Sequence, residues 1–232
     1  MGYRLVACAA ITAVASSIAS ADVISLWNIV TPFPTGAGNV PTGLTYSAGA
    51  ADTGLLTAGS ELTSVHSNAA ATYTSPVGNA SALSFSSNNW GIGDYYQARV
   101  STLGYTGISV SWDQARSATG PASFTLLLSV DNGANWTTLV ASYGVVQSGG
   151  GGSPATWTSS GVRNPLYTLG PVSTGGLADN QSTVLFRFQA LSAGTAASGS
   201  NRIDNVEITG VPTPGAIALV GLGGLIAGRR RR

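Results

Sequence analysis

The chain has 232 residues, only 8% of them charged, and a formal charge of +1. Half of its ten arginines sit at the ends (Arg4 and Arg229 to Arg232). The body keeps five arginines and no lysine against nine acids, a net charge of −4 that offers no electrostatic footprint for nucleic acid. The single cysteine, Cys8, falls in a segment expected to be removed, which excludes disulfides and cysteine-held metals from the rest.

Met1 to Ala21 reads as a signal peptide. One early positive charge, Arg4, precedes an apolar stretch from Leu5 to about Ile18, and Ala19-Ser20-Ala21 supplies an A-x-A cleavage pattern before Asp22. The segment predicts a signal helix, Sec-type export and removal by signal peptidase. Leu5-Val6-Ala7-Cys8 only loosely follows a lipobox and lies too near the start to leave room for an apolar region before it.

Residues 22–210 read as one all-β domain. Val23–Ile29 has strand character, and the Pro- and Gly-rich segment Thr31–Gly43 reads as a loop. From Leu44 to Asn89 the pattern is weak, with short apolar pairs such as Leu55-Leu56 among small polar residues. Short strands are expected there, either within the sandwich or as a mobile flap. From Trp90 onward alternation takes over. Tyr96, Ala98 and Val100 share one face, with Tyr95, Gln97 and Arg99 on the other. Ile108, Val110 and Trp112 alternate with Ser109, Ser111 and Asp113. Phe124, Leu126, Leu128 and Val130 form a third apolar row, and Val184, Phe186, Phe188 and Ala190 a fourth. A period of two in four segments is what half-buried antiparallel strands require. Helical periodicity is absent from the body, so the expected fold is an antiparallel β-sandwich.

Between these rows lie two loops. Asp131-Asn132-Gly133 predicts a hairpin turn, since Asn and Gly tolerate positive φ. Ser148-Gly149-Gly150-Gly151-Gly152 reads as a flexible loop, because no lysine or helix follows to make it a phosphate cradle. The last strand, Asn201–Thr209, closes the domain.

Candidate chemistry is sparse. His66 is the only histidine, with no neighbouring G-x-S-x-G or H-E-x-x-H, and reads as a surface or loop residue; a Ser-His-Asp triad assembled in space stays open. Asp94, Asp113, Asp131, Asp179 and Asp204 include enough acids for a glycosidase pair, although no spacing selects two of them. Trp90, Trp157, Tyr95, Tyr143 and Tyr167 lie beside loops or on outward faces. There an aromatic can stack on a sugar ring while Arg99, Arg187 or Gln189 hydrogen-bonds its hydroxyls. Trp112 and Phe124 read as core. The predicted ligand-binding set is therefore Trp90, Tyr95, Arg99, Trp157, Arg187 and Gln189, with no catalytic residue. Asn79-Ala80-Ser81, Asn135-Trp136-Thr137 and Asn180-Gln181-Ser182 match the glycosylation pattern, a frequent coincidence in so Ser/Thr-rich a chain.

Residues 211–232 form a different kind of segment. Val211-Pro212-Thr213-Pro214 breaks the preceding element, because proline lacks an N–H donor. An apolar run, Ala216 to Ala227, then ends in Arg229, Arg230, Arg231 and Arg232, the order of a membrane stop with its charges left on the cytoplasmic side. As a short hydrophobic helix with its flanking glycines it would span about 21 Å, against a hydrocarbon core of about 30 Å, which suits a transient hold. The arrangement resembles the PEP-CTERM sorting signal of bacterial exported proteins, with Val-Pro-Thr-Pro in place of the commoner Pro-Glu-Pro.

That resemblance implies an exosortase-type processing enzyme as partner and an exopolysaccharide setting at the cell envelope, surface or extracellular matrix. The IDNV strand before the tail (Ile203 to Val206) resembles the end of the jelly-roll-like sandwich modules that precede such tails. In carbohydrate modules of that kind the last-strand acid, here Asp204, often helps hold a structural calcium. Ser129-Val130-Asp131-Asn132-Gly133-Ala134-Asn135-Trp136 resembles an Asp-box, a hairpin in which the Asp and Ser brace the turn and the aromatic packs beneath it. Together these features predict an exported, non-catalytic surface or matrix protein that binds polysaccharide. The alternatives are a glycan hydrolase or lyase using paired carboxylates, and a purely structural coat protein.

Overall fold

The computed structural model describes residues 20–149, 157–159 and 161–213. The signal helix expected over 1–21 and the hydrophobic helix expected in 211–232 fall almost wholly outside them. Among the described residues no helix is long and apolar enough to cross a membrane.

Among the described residues twelve strands make two antiparallel sheets. The first holds β1 (Asp22–Trp27), β4 (Tyr73–Thr74), β5 (Phe85–Ser87), β7 (Tyr105–Arg116), β10 (Thr168–Ser173) and β12 (Asn201–Pro212). Its order is β10-β7-β12-β5-β4, with β1 also paired to β12. Long β12 is the organiser, since its start pairs with β5 at Arg202↔Ser86 and its end with β1 at Trp27↔Val206. The second sheet holds β2 (Thr45–Gly49), β3 (Glu61–Val65), β6 (Tyr95–Val100), β8 (Ser123–Ser129), β9 (Thr137–Gly144) and β11 (Val184–Ala190), in the order β2-β3-β6-β11-β8-β9.

The four predicted apolar rows face the space between the sheets. Phe186, Phe188, Phe124, Ile108, Val110 and Tyr96 are sealed from solvent, and Trp27 and Trp112 join them. Each such side chain contributes about 1.5–3 kcal/mol of transfer free energy, which lets the sandwich stand without a disulfide.

Two expectations are corrected, those for Val130 and for the end of the last strand, and two open stretches are filled. The weak stretch from Leu44 to Asn89 holds the short strands expected and joins the sandwich, supplying β2 and β3 to one sheet and β4 and β5 to the other. Val130 leaves the third row, because β8 stops at Ser129 and the turn carries Val130 outward. Strands β9 and β10 appear where no alternation was evident; β9 (TTLVASYG) is an edge strand whose residues are half-buried or exposed throughout. The last strand runs past Thr209 through Val211 and Pro212, paired to Thr106 and Tyr105, and Thr213 donates its N–H to the Gly104 carbonyl at 2.8 Å. Pro212 is tolerated at the strand end, where a missing donor costs no interior ladder bond.

Candidate functional site

The outer face of the second sheet is set by register. Tyr95, Gln97 and Arg99 on β6 oppose Gln189, Arg187 and Leu185 on β11, and those three in turn oppose Thr125, Leu127 and Ser129 on β8. Period two sends all nine outward, because the residues between them fill the core.

Arg187 is the centre of this face. Its guanidinium carbon lies 3.9 Å from the Tyr95 ring centroid on one side and 3.8 Å from the Trp136 ring on the other. In the plane between the rings, its Nε and Nη2 both donate to the Gln97 side-chain oxygen, at 3.1 and 2.9 Å. Burial pushes the guanidinium below its usual pKa, and Tyr95 opposes that shift. Cation–π contacts are worth about 0.5–1 kcal/mol when exposed and about 2 kcal/mol when desolvated. The two-ring stack therefore holds an otherwise supple arginine in one pose. Beside it, Gln189 donates from Nε2 to the Gly93 carbonyl at 3.0 Å.

Trp136 arrives through the hairpin at 129–136, which has the bracing an Asp-box requires. Asp131 accepts from the Ser129 hydroxyl at 2.7 Å, the Asn135 N–H at 2.9 Å and the Asn135 side chain at 2.7 Å. The Asn135 N–H, with the Ser129 hydroxyl and the Asn135 amide, holds the Asp131 carboxyl down to about 2. Asn132 and Gly133 both take positive φ, as the turn demands. Trp136 Nε1 donates to the Gly133 carbonyl at 3.0 Å, which fixes the indole against the turn and beside Arg187.

The structure thus gathers Tyr95, Arg187 and Gln189 from the predicted set, with exposed Arg99 two residues from Gln97 on the same strand face. Trp90 and Trp157 do not join them. The Trp90 ring packs against His66, Tyr96 and Phe124 in the core, with its N–H on the Ser87 carbonyl at 2.9 Å. Trp157 is buried with Tyr167 over Ala115, on the far side of the other sheet. Tyr143 is half-buried and engaged with Trp112, Phe124 and Gln114. A large ring contributes a large burial area when packed, and each of these three is turned onto other side chains of the sandwich. Trp136 and Gln97 complete this cluster and were not in the predicted set. The Asp-box had placed Trp136 under its turn, and the outward row on β6 contained Gln97.

His66 is a second correction: it is buried, not on a surface. Its Nδ1 lies 3.2 Å from Asp94 Oδ2 and its Nε2 3.0 Å from Ser64 Oγ, the connectivity of a Ser-His-Asp triad. Ser64 has no exposed surface, and its hydroxyl continues to Ser87 and Tyr96 inside the core. A nucleophile needs room for an acyl group beside it, and this one has none. At Asp94, burial pushes the carboxyl upward, but His66 and the N–H groups of Gly91 and Ser67 outweigh it and hold the carboxyl low.

Asp113 and Asp204 are register partners on β7 and β12. Asn205 Nδ2 sits between them, 2.8 Å from Asp113 Oδ2 and 3.2 Å from Asp204 Oδ2. Both carboxyls are sealed from solvent. Asp113 also accepts from Arg163, Asn79 and Thr168. Asp204 Oδ2 accepts from the Asn79 N–H at 2.7 Å and the Ser81 hydroxyl at 2.5 Å, while its Oδ1 has no partner. Burial pushes the Asp204 carboxyl up to about 7, against those donors. Asp204 therefore lies in a central strand and pins the loop at 79–81 by hydrogen bonds. Among the described residues no three of His, Cys, Asp and Glu gather as metal ligands.

No protein-family model matches the chain, and no curated protein matches it. Among solved structures it is similar to the K3 cleaved adhesin domain of Lys-gingipain from Porphyromonas gingivalis, at TM-score 0.43 and 14% identity over 81% of this chain and 99% of that one. It is similar also to CtCBM11, at 0.37 and 15% over 86% and 100%. The N-terminal cellulose-binding domain of Cellulomonas fimi β-1,4-glucanase C gives 0.27 and 13% over 66% and 84%. At such scores the likeness says nothing of ligand or role.

Proposed function

We propose that this protein is exported and held at the cell envelope, surface or extracellular matrix, where it binds polysaccharide without cleaving it. The observation that carries the reading is the outward Tyr95–Arg187–Trp136 stack. Four of the five tryptophans are buried; Trp136 alone stays half-buried, fixed beside a guanidinium on a polar sheet face. Sugars bind where a rigid aromatic surface meets convergent hydrogen-bonding groups. Gln97, Gln189 and Arg99 supply such groups around the stack. The coat-protein alternative calls for every aromatic to be covered, and Trp136 and Tyr95 are not.

Binding is favoured over hydrolysis for a geometric reason. A glycosidase pair needs a water or a sugar between two acids, whereas Asp113 and Asp204 have Asn205 between them and no solvent access. In this account residues 1–21 serve export and removal by signal peptidase. The 211–232 segment serves sorting by an exosortase-like enzyme, reading Pro214 and the terminal arginines beyond the strand that ends at Pro212. A glycan array probed with the full chain tests the binding claim. Reproducible capture by one polysaccharide class is expected, and silence across the array contradicts it.

A further inference from the structure

The outer face of the other sheet carries a cleft that the reading above does not use. Its floor follows from register: Thr74, Ser86 and Arg202 are partners in one row across β4, β5 and β12. Ile203 beside Arg202 points into the core, so the row itself faces out. One wall is the chain after β9. Residues 145–149 run along this face, where Gln147 bridges to Arg116 and Ser148 lines the cleft, and Trp157 packs separately on Ala115. The Arg202 guanidinium rests 4.9 Å from the Trp157 ring. The space enclosed is about 370 Å³, and Asn88, Ser148 and Ser200 line it with the floor residues.

Two features of this cleft point to a ligand. The first is a half-buried cation with no acid in direct ion-pair contact, although the nearby Asp204 carboxyl acts on its charge. Among the described residues no carboxylate lies within ion-pair distance of Arg202, and none lines the cleft. Asp204, two residues along, gives its Oδ2 to Asn79 and Ser81 instead. Arg202 donates to Ser148 Oγ at 2.9 Å and only distantly to the Val77 carbonyl at 3.4 Å. A guanidinium carries five N–H donors in a planar fork suited to a carboxylate, so most of that capacity is unspent. The second feature is the lining. Every hydroxyl both donates and accepts, which matches the vicinal hydroxyls of a sugar better than an apolar ring.

We propose that this cleft is a second binding site, selective for an acidic sugar whose carboxylate sits on Arg202 and whose hydroxyls meet the surrounding serines and threonines. It lies on the opposite sheet from the Tyr95–Arg187–Trp136 face and stands or falls separately.

The test is an NMR titration of the ¹⁵N-labelled full chain with sodium D-glucuronate and, in parallel, D-glucose and sodium sulfate at matched ionic strength. Glucuronate is expected to shift the amides of Ser86, Asn88 and Arg202 while leaving Arg187 and Trp136 in place. Glucose and sulfate should bind at least tenfold more weakly. Thr74→Trp, at an exposed edge position, should fill the cleft and abolish the glucuronate shifts with an unchanged Tm. Arg202→Gln should erase the preference for acid over neutral sugar. The proposal is overturned by equal affinity for glucose or for bare sulfate, by no shifts at all, by shifts confined to the Arg187 face, or by binding that survives Thr74→Trp.

Discussion

Asp204→Asn should make the protein more stable at pH 8 than the parent chain and should flatten its pH dependence. Burial raises the Asp204 carboxyl to about 7, from an ordinary aspartate value of about 4. Between those values the unfolded chain has released the proton and the native chain keeps it, so native stability falls as pH rises. A rise of that size makes the full cost of ionising Asp204 in place about 4 kcal/mol, reached above pH 7. Asparagine keeps an acceptor for the Asn79 N–H and the Ser81 hydroxyl but buries an NH₂ where Oδ1 has no partner. That burial costs about 1–3 kcal/mol. The net gain at pH 8 is then about 1–3 kcal/mol, with a loss of similar size at pH 4.5. Urea melts at both pH values measure it. An unchanged slope between pH 4.5 and 8 in the variant would refute the assignment of that slope to Asp204.

Below pH 4 the sign reverses. Asp94 and Asp131 are held below their usual range, so what they contribute is present above the unfolded value and lost as pH falls through the native one. Asp131→Ala should accordingly speed amide exchange in the 129–136 hairpin at pH 6 and leave the rest of the sheet protected, as hydrogen exchange would show. His66→Ala should cost about 2–5 kcal/mol in a urea melt, because it empties a buried site packed against Tyr73 and Trp90; a loss under 1 kcal/mol would contradict the buried placement of the ring. Gly78→Ala should cost about 1–3 kcal/mol, because a Cβ there would fall 1.9 Å from Ser81 Oγ, 2.3 Å from the Leu83 carbonyl and 2.5 Å from Asp204 Oδ2. Wild-type stability in that variant would mean the loop approaches Asp204 less closely than described.

What was legible in the sequence depended on repetition. Phe186 and Phe188 alternate with Arg187 and Gln189, and a strand with one face in a core can hardly be written otherwise. The 44–89 stretch gave little because its strands are two to five residues long, too short for a period to show. Single residues beside loops were read less well. Trp90 and Trp157 have the flanks of exposed aromatics, and only contacts distant in sequence, with His66 for the first and with Ala115 for the second, bury them. His66 itself looked isolated because Asp94 and Ser64 reach it through strand pairing. The Asp-box served best, since a local motif fixed a turn, the turn fixed Trp136, and register supplied Arg187 opposite.

The most direct test of the binding account is the affinity of the full chain for its array-selected polysaccharide, compared with Trp136→Ala and Tyr95→Ala by calorimetry. Each variant is expected to bind at least tenfold more weakly, about 1.4 kcal/mol, while retaining the parent Tm within a few degrees. Undiminished affinity in both variants would contradict the claim that the Tyr95–Arg187–Trp136 face holds the ligand.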